Sequence, residues 1–320
     1  MPAAFAAERA RGFRLGPEAL EPLADRAVGA FLGLAVGDAL GATVEFLTPR
    51  EISAFYGIHR DIKGGGWLHL KPGRVTDDTE MSLALGQAIL DGNGRIDAFA
   101  CAEAFSAWMH KPPADIGHTV RRGIALYRRT RIPFVADNPA NGGNGAAMRL
   151  LPAALATFGA PWSRVVRALR LQAHVTHTSV LSDAGCEAIA ALVQAALAGA
   201  IRDELLALVA DFARAWPEFD PAGRRQDDPT GFIVPTLRAV FQSLAESSGF
   251  EDGLIGVVNR GGDADTTGAI LGMILGALHG TAGVPRRWRK KLDPGVAALC
   301  ESQARALIAR SPAVNPLGGG

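Results

Sequence analysis

The chain has 320 residues, 48% of them hydrophobic and 20% charged, which is ample for a sizeable core and fits one large domain or two ordinary ones. A formal net charge of +1 supplies no global field for nucleic acid or an anionic membrane, and neither is an expected partner. Cys101, Cys186 and Cys300 are too few and too widely spaced for a disulfide framework or a CxxC metal site, and read as buried free thiols in a reducing cytoplasm.

Residues 1–22 read as a flexible extension, and residues 1–14 lack the continuous apolar segment of a secretory signal. Residues 23–46 read as a helix with Gly29, Gly33, Gly37 and Gly41 on one face, a stripe that lets a second helix come close. Asp38 and Glu45 lie seven residues apart on that helix and so face the same side; a buried carboxylate there needs a partner or a metal. Residues 57–73 form a loop around Gly64-Gly65-Gly66. A helix over 78–90 ends at Asp91-Gly92-Asn93-Gly94, and Asp97 caps the next, to residue 109. Pro112-Pro113 breaks the pattern, and Asp115 or its neighbour opens a helix to residue 129. After the polar loop 137–145, helices are expected over 146–158, 161–173, 179–200, 202–216, 233–247, 250–259, 267–279 and 293–309. Gly268, Gly272 and Gly276 repeat the spacing of four. The most apolar stretch, 188–200, reads as too short to span a bilayer. Arg286-Arg287-Trp288-Arg289-Lys290-Lys291 reads as a solvated helix edge. Period-two alternation is nearly absent and no linker divides the chain. The expectation is one all-α domain over 23–310, with a flexible tail over 311–320.

Two distant clusters carry the chemistry. Thr76-Asp77-Asp78-Thr79-Glu80 and Gly261-Gly262-Asp263-Ala264-Asp265-Thr266-Thr267 each stand at a helix entrance. Either alone is explained by N-capping. Together they form a set of hard oxygen ligands whose carboxylates repel unless cations sit between them. That set suits Mg²⁺, Mn²⁺ or Ca²⁺ rather than zinc, and neither cluster has the alternating ligands of an EF-hand. Asn141 to Arg149 is a glycine-rich loop without the Lys-Ser/Thr of a P-loop; it and Gly64–Gly66 are candidate phosphate cradles. His174 and His177 read better as satisfied histidines than as a ligand pair.

Gly37-Asp38-Ala39-Leu40-Gly41 with Glu45-Phe46, then Thr76-Asp77-Asp78-Thr79, Asn144-Gly145-Ala146-Ala147-Met148-Arg149 and Gly262-Asp263-Ala264-Asp265-Thr266 resemble, in order, the motifs of the ADP-ribosylglycohydrolases. The likeness covers about residues 26–291. Within the family it is strongest to the branch that acts on dinitrogenase reductase. The resemblance implies an all-α fold with a dinuclear metal centre in a cleft. It implies two divalent cations, Mn²⁺ foremost and Mg²⁺ second. It also implies hydrolysis of the N-glycosidic bond between ADP-ribose and an arginine of a modified protein. Carried over by motif, Thr76, Asp77, Asp78, Asp263, Asp265 and Thr266 are the metal ligands, and Asp115 and Glu45 are the catalytic carboxylates, with the choice of general base open. Gly65, His118, Asn144, Gly145, Met148 and His177 are the substrate-binding residues. The implied partner is the nitrogenase iron protein, with a nitrogen-signalling regulatory protein as a second.

Alternatives remain. Serine- or O-acetyl-linked ADP-ribose is another substrate class, and an inert ADP-ribose binder is another role. Terpenoid synthases hold Mg²⁺ through Asp at i and i+4, but Met81 and Ser82 occupy the positions four after Asp77 and Asp78.

Overall fold

The computed structural model describes residues 17–315, and these are helical, with no strand among them. In chain order come α1 (Pro17–Gly41), α2 (Pro49–Tyr56), α3 (Asp77–Asp91), α4 (Ala98–His110) and α5 (His118–Thr130). A mostly irregular passage leads to α6 (Leu151–Ala156), α7 (Trp162–Ala173) and α8 (Val180–Leu197). The chain finishes with α9 (Arg202–Ala215), α10 (Ile233–Glu246), α11 (Phe250–Val258), α12 (Ala264–Gly283), α13 (Arg286–Arg289) and α14 (Pro294–Ala309).

The pairing of α1 with α12 organises everything else. A Cβ built on Gly29, Gly33, Gly37 or Gly41 would stand 2.5, 2.1, 2.0 and 2.2 Å from the carbonyl oxygens of Gly276, Gly272, Gly268 and Ala264. The partner numbers fall as the α1 numbers rise, so the helices run antiparallel, with backbone against backbone along the glycine stripes. The C-terminal end of α1 therefore meets the N-terminal end of α12, where the second acidic cluster lies. Around this pair, α14 packs on α1, α11 packs on α12, and α8 fills the interior.

Local chemistry sets the boundaries, and several differ from those expected. The first helix begins at Pro17, inside the expected extension; residues 1–16 of that extension lie outside the described residues. It ends at Gly41 rather than continuing to residue 46. The chain turns instead to meet the next glycine turn: Phe46 N–H donates to the Gly262 carbonyl at 2.8 Å, and Gly262 N–H to that of Leu47 at 3.0 Å. Asp38 and Glu45 therefore do not share a helix. Asp115 does not cap α5: its side chain accepts from Ile116 N–H at 2.7 Å, and Gly117 is the cap residue. The helix expected over 146–158 shrinks to α6, because Pro152 needs a first-turn position and its ring would strike the carbonyl four residues earlier. α2 was missed although Thr48-Pro49-Arg50-Glu51 forms a capping box, with Glu51 Oε2 accepting Thr48 N–H at 2.8 Å.

The C-terminal boundary also differs: Ser311 is buried, and Ala313 N–H donates to the Phe158 carbonyl at 3.1 Å, so part of the expected tail is docked. Residues 316–320 lie outside the described residues. α8 corrects another expectation, being long and apolar enough by length and composition to cross a membrane; 78% of it is buried, as befits a core helix. In the basic stretch, Trp288 is buried and Arg287 pairs with Glu251 and Asp61. All three cysteines are free and buried.

Gly37→Ala forces a Cβ against fixed backbone and should destabilise the fold by about 3 kcal/mol or more. Gly256→Ala, on the open face of α11 with nothing within 4 Å of an added Cβ, should stabilise it by about 0.5–1 kcal/mol. Denaturant unfolding of the two variants measures both effects.

Candidate metal centre and its cleft

The site assembles where three chain segments are tied together. Asp38, in the last turn of α1, is fully buried. Its carboxylate accepts from Thr76 N–H (2.9 and 3.1 Å), Thr76 Oγ1 (3.0 Å), Thr79 N–H (3.1 Å) and Thr79 Oγ1 (2.5 Å). One side chain thus holds the entrance of α3 against the end of α1. Burial raises the Asp38 carboxyl to about 6 even though these donors pull it down.

Beside this clamp the two clusters meet. Thr76 Oγ1 lies 3.4 Å from both Asp78 Oδ2 and Asp265 Oδ2, and Thr266 Oγ1 lies 3.4 Å from Asp78 Oδ2. Carboxylate oxygens of Glu45, Asp263 and Asp265 lie within 4.8 Å of one another. Asp77, Asp78 and Asp265 occupy the first turns of α3 and α12, where the helix dipoles favour negative charge. Gly261 and Gly262, at φ 72 and 60, make the turn that delivers Asp263, and no other residue fits: added Cβ atoms would stand 2.0 and 2.2 Å from the carbonyl oxygens of Leu47 and Pro229.

The donor set fits hard divalent cations. Asp77 and Glu45 are pushed up to about 8, and Asp78 and Asp265 well above the usual carboxylate range, chiefly by burial and then by one another's charge. Among the described residues, none of these acids forms an ion pair with Lys or Arg. The buried Asp78 Oδ1 has no hydrogen-bond partner. Desolvated carboxylates with an orphaned oxygen and threonine hydroxyls among them call for cations with oxygen ligation.

A cleft of about 230 Å³ opens over these residues. Its lining includes Glu45, Asp77, Asp78, Asp115, His118, Asn144, Gly145, Met148, His177, Asp263, Asp265 and Thr266. Thr76 lies beneath, fully buried. Gly65 stands outside the lining; it pairs with Leu70 in a small turn. A larger groove of about 800 Å³ beside α9 and α10 has mostly apolar walls and no such convergence of acids.

Asn144 is engaged by protein: its Nδ2 donates to Asp263 Oδ2 at 2.6 Å and to Thr236 Oγ1 at 2.9 Å, so it aims an acid. Arg149 is buried, stacked on Phe105, and donates to Gln172 and Thr176. Thr176 Oγ1, accepting from Arg149 at 2.8 Å, has its own hydrogen for His177 Nδ1 at 2.8 Å. Burial and the nearby arginines push His177 down to about 3, so its ring is neutral and the network places the ring hydrogen on Nε2. Added Cβ atoms on Gly143 and Gly145 would lie 3.1 and 3.2 Å from that nitrogen, which explains glycine at both positions. His174 pairs with Asp183 at 3.0 Å and takes no part.

Three functional features were missed from sequence. The Asp38 clamp and the Asn144–Asp263 bond are long-range contacts with no local signature. Trp67, whose Nε1 donates to Glu45 Oε2 at 2.7 Å, had one faint signal, a large polar aromatic directly after three glycines.

The sequence profile described as ADP-ribosylglycohydrolase matches residues 19–315. The chain is 46% identical over 292 residues to the ADP-ribosyl-[dinitrogen reductase] glycohydrolase of Rhodospirillum rubrum, covering 89% of this chain and 96% of that one. It is 32% identical over 314 residues to the ADP-ribosylarginine hydrolase Tri1 of Pseudomonas putida (strain GB-1), covering 93% and 81%. A solved structure titled ADP-ribosylglycohydrolase-related protein complex superposes with a TM-score of 0.81 at 35% identity, covering 91% of this chain and 99% of that one.

Asp265→Asn should have opposite effects with and without cations. In chelator it removes one of several repelling buried charges and should raise the unfolding midpoint above wild type. In Mn²⁺ at about 100 times the dissociation constant, wild type should gain about 2.7 kcal/mol, and the variant should lose most of that gain. Thermal unfolding in the two buffers checks both signs.

Proposed function

The chain belongs to the ADP-ribosylglycohydrolase family, and we propose that it is a cation-dependent hydrolase that removes ADP-ribose from an arginine side chain of a modified protein. The convergence of Asp77, Asp78, Asp263, Asp265 and the Thr76 and Thr266 hydroxyls on one cleft carries this reading, and the name of the P. putida relative, an ADP-ribosylarginine hydrolase, supports the linkage. The extent of likeness to the R. rubrum protein supports dinitrogenase reductase, the nitrogenase iron protein, as the target. An all-oxygen set with threonine hydroxyls suits both Mn²⁺ and Mg²⁺, and we take Mn²⁺ as the ion and Mg²⁺ as its substitute on the family likeness. The three buried thiols support action in the cytoplasm.

Thr76, Asp77, Asp78, Asp263, Asp265 and Thr266 would hold a pair of divalent cations, which would supply Lewis acidity and make water easier to ionise near neutral pH. The protein does the rest. Water adds at the anomeric carbon, the carbon–nitrogen bond breaks, and the departing guanidine needs a proton. Asp115 is our candidate for that transfer, supported by its lining the cleft, half-buried and apart from the Glu45–Asp263–Asp265 group. Burial holds its carboxyl above the usual range, which suits an acid that gives and regains a proton. Glu45 is buried, fixed by Trp67, and belongs with the cation ligands. The glycine-rich turn at 142–145 and His177 Nε2–H offer donors for the diphosphate, and His177 does so without adding charge.

Free ADP-ribose should appear from arginine-linked conjugates in Mn²⁺ and not in chelator, with little from serine- or O-acetyl-linked conjugates. No release from the arginine conjugate, or release indifferent to chelator, would sink the reading. Asp115→Asn should lower kcat by roughly 10²- to 10⁴-fold with cation affinity intact. Glu45→Gln should lower kcat and cation affinity together. Single-turnover kinetics with Mn²⁺ titration separates the two roles.

A further inference from the structure

Two aromatic rings at the cleft present surface to solvent beside the cation site. Phe46 follows Glu45, lines the cleft and is 62% exposed. Trp67 is 48% exposed, and its ring centroid lies 5.3 Å from that of Phe46 with the planes inclined by 50°. Adjacent aromatic surface left in water at the mouth of a site is unfavourable unless something covers it in use. Phe46 also sits at φ 63, a conformation that a bulky residue holds only when its surroundings impose it. The imposing contact is its N–H bond to the Gly262 carbonyl at 2.8 Å, in the turn that delivers Asp263. Trp67 is fixed by its edge, through Nε1 on Glu45 Oε2, while about half of the residue stays in solvent. Both rings are thus tied by the backbone or by a hydrogen bond to the acids of the centre.

Charge selects the occupant. Six carboxylates line the cleft (Glu45, Asp77, Asp78, Asp115, Asp263 and Asp265), and among the described lining residues there is no Lys or Arg. Two divalent cations leave that surface net negative. Aromatic faces beside net negative charge suit a planar cation, which stacks on the rings while its N–H edges reach the carboxylates.

We propose that the Phe46–Trp67 pair is the platform that receives the guanidinium of the target's arginine, and so selects an arginine linkage over an uncharged one. This rests on the arginine-linked reading above and names the residues that read the linkage.

The test uses the full chain loaded with Mn²⁺ and N-linked ADP-ribosyl-arginine as substrate, with ADP-ribose affinity measured separately by calorimetry. Phe46→Ala and Trp67→Ala should raise KM for the conjugate on the order of 5- to 30-fold. The dissociation constant of ADP-ribose should stay within about twofold. Trp67→Phe keeps the ring and removes the N–H on Glu45, so KM should stay near wild type while kcat falls about tenfold. Unchanged KM in both alanine variants would overturn the proposal alone. So would a parallel loss of ADP-ribose affinity, which would assign the rings to the nucleotide, or a Trp67→Phe variant whose KM rises as far as that of Trp67→Ala. A wild-type protein that releases nothing from the arginine conjugate would overturn this proposal and the proposed function together.

Discussion

The bare backbone contact between α1 and α12 is the constraint on which the rest of the molecule depends. Helices with ordinary side chains pack with axes 8–10 Å apart. Here, carbonyl oxygens occupy the space where Cβ atoms would otherwise stand, at four successive levels from Gly29–Gly276 to Gly41–Ala264. The contact is made almost wholly of main chain, so its stability comes from dispersion and close fit rather than from large apolar side chains. Antiparallel packing at this separation brings Asp38 and Asp265 to one end of the pair. The Asp38 carboxylate then captures Thr76 and Thr79 and draws in α3.

The resulting centre is electrostatically expensive. Several carboxylates lie desolvated at two helix N-termini, and the dipoles of α3 and α12 and a few N–H donors offset only part of their repulsion. Among the described residues no basic side chain pairs with them, although Arg149 is buried nearby under Phe105. Arg149 instead fixes Thr176, whose hydroxyl meets His177 Nδ1; burial first, and the charge of Arg149 after it, keeps that ring neutral with Nε2 toward the glycine loop. The division is consistent: the acids are grouped as a set that could hold cations, and uncharged donors stand at the glycine-rich loop on the other side of the cleft.

How much of this could be read from the sequence follows from how local each signal is. The acidic clusters were legible because each groups its acids and threonines within a few residues of a helix start. The glycine stripes were legible because spacing by four is a helical period. The all-helical class followed from the scarcity of alternation. Asp38 was seen only as a carboxylate in an apolar helix, because nothing at 37–41 shows that its partners are Thr76 and Thr79. Glu45 was expected on the first helix, but the pull of Gly262 on Phe46 ends that helix at Gly41 and turns Glu45 toward Trp67. Asn144 lines the cleft as expected of a cleft residue, but the donation of its Nδ2 to Asp263 and Thr236, far away in sequence, has no local signature.

The toothed contact between the two long helices has one more consequence. With glycines repeating every four residues, the helices cannot slide past each other continuously; the nearest alternative fit is a full tooth away. One tooth is about 6 Å of travel along an α-helix. A slip of that size would carry Asp265 away from Thr76, whose hydroxyl now lies 3.4 Å from it. The notch at which the helices mesh therefore decides whether the two acidic clusters meet at all.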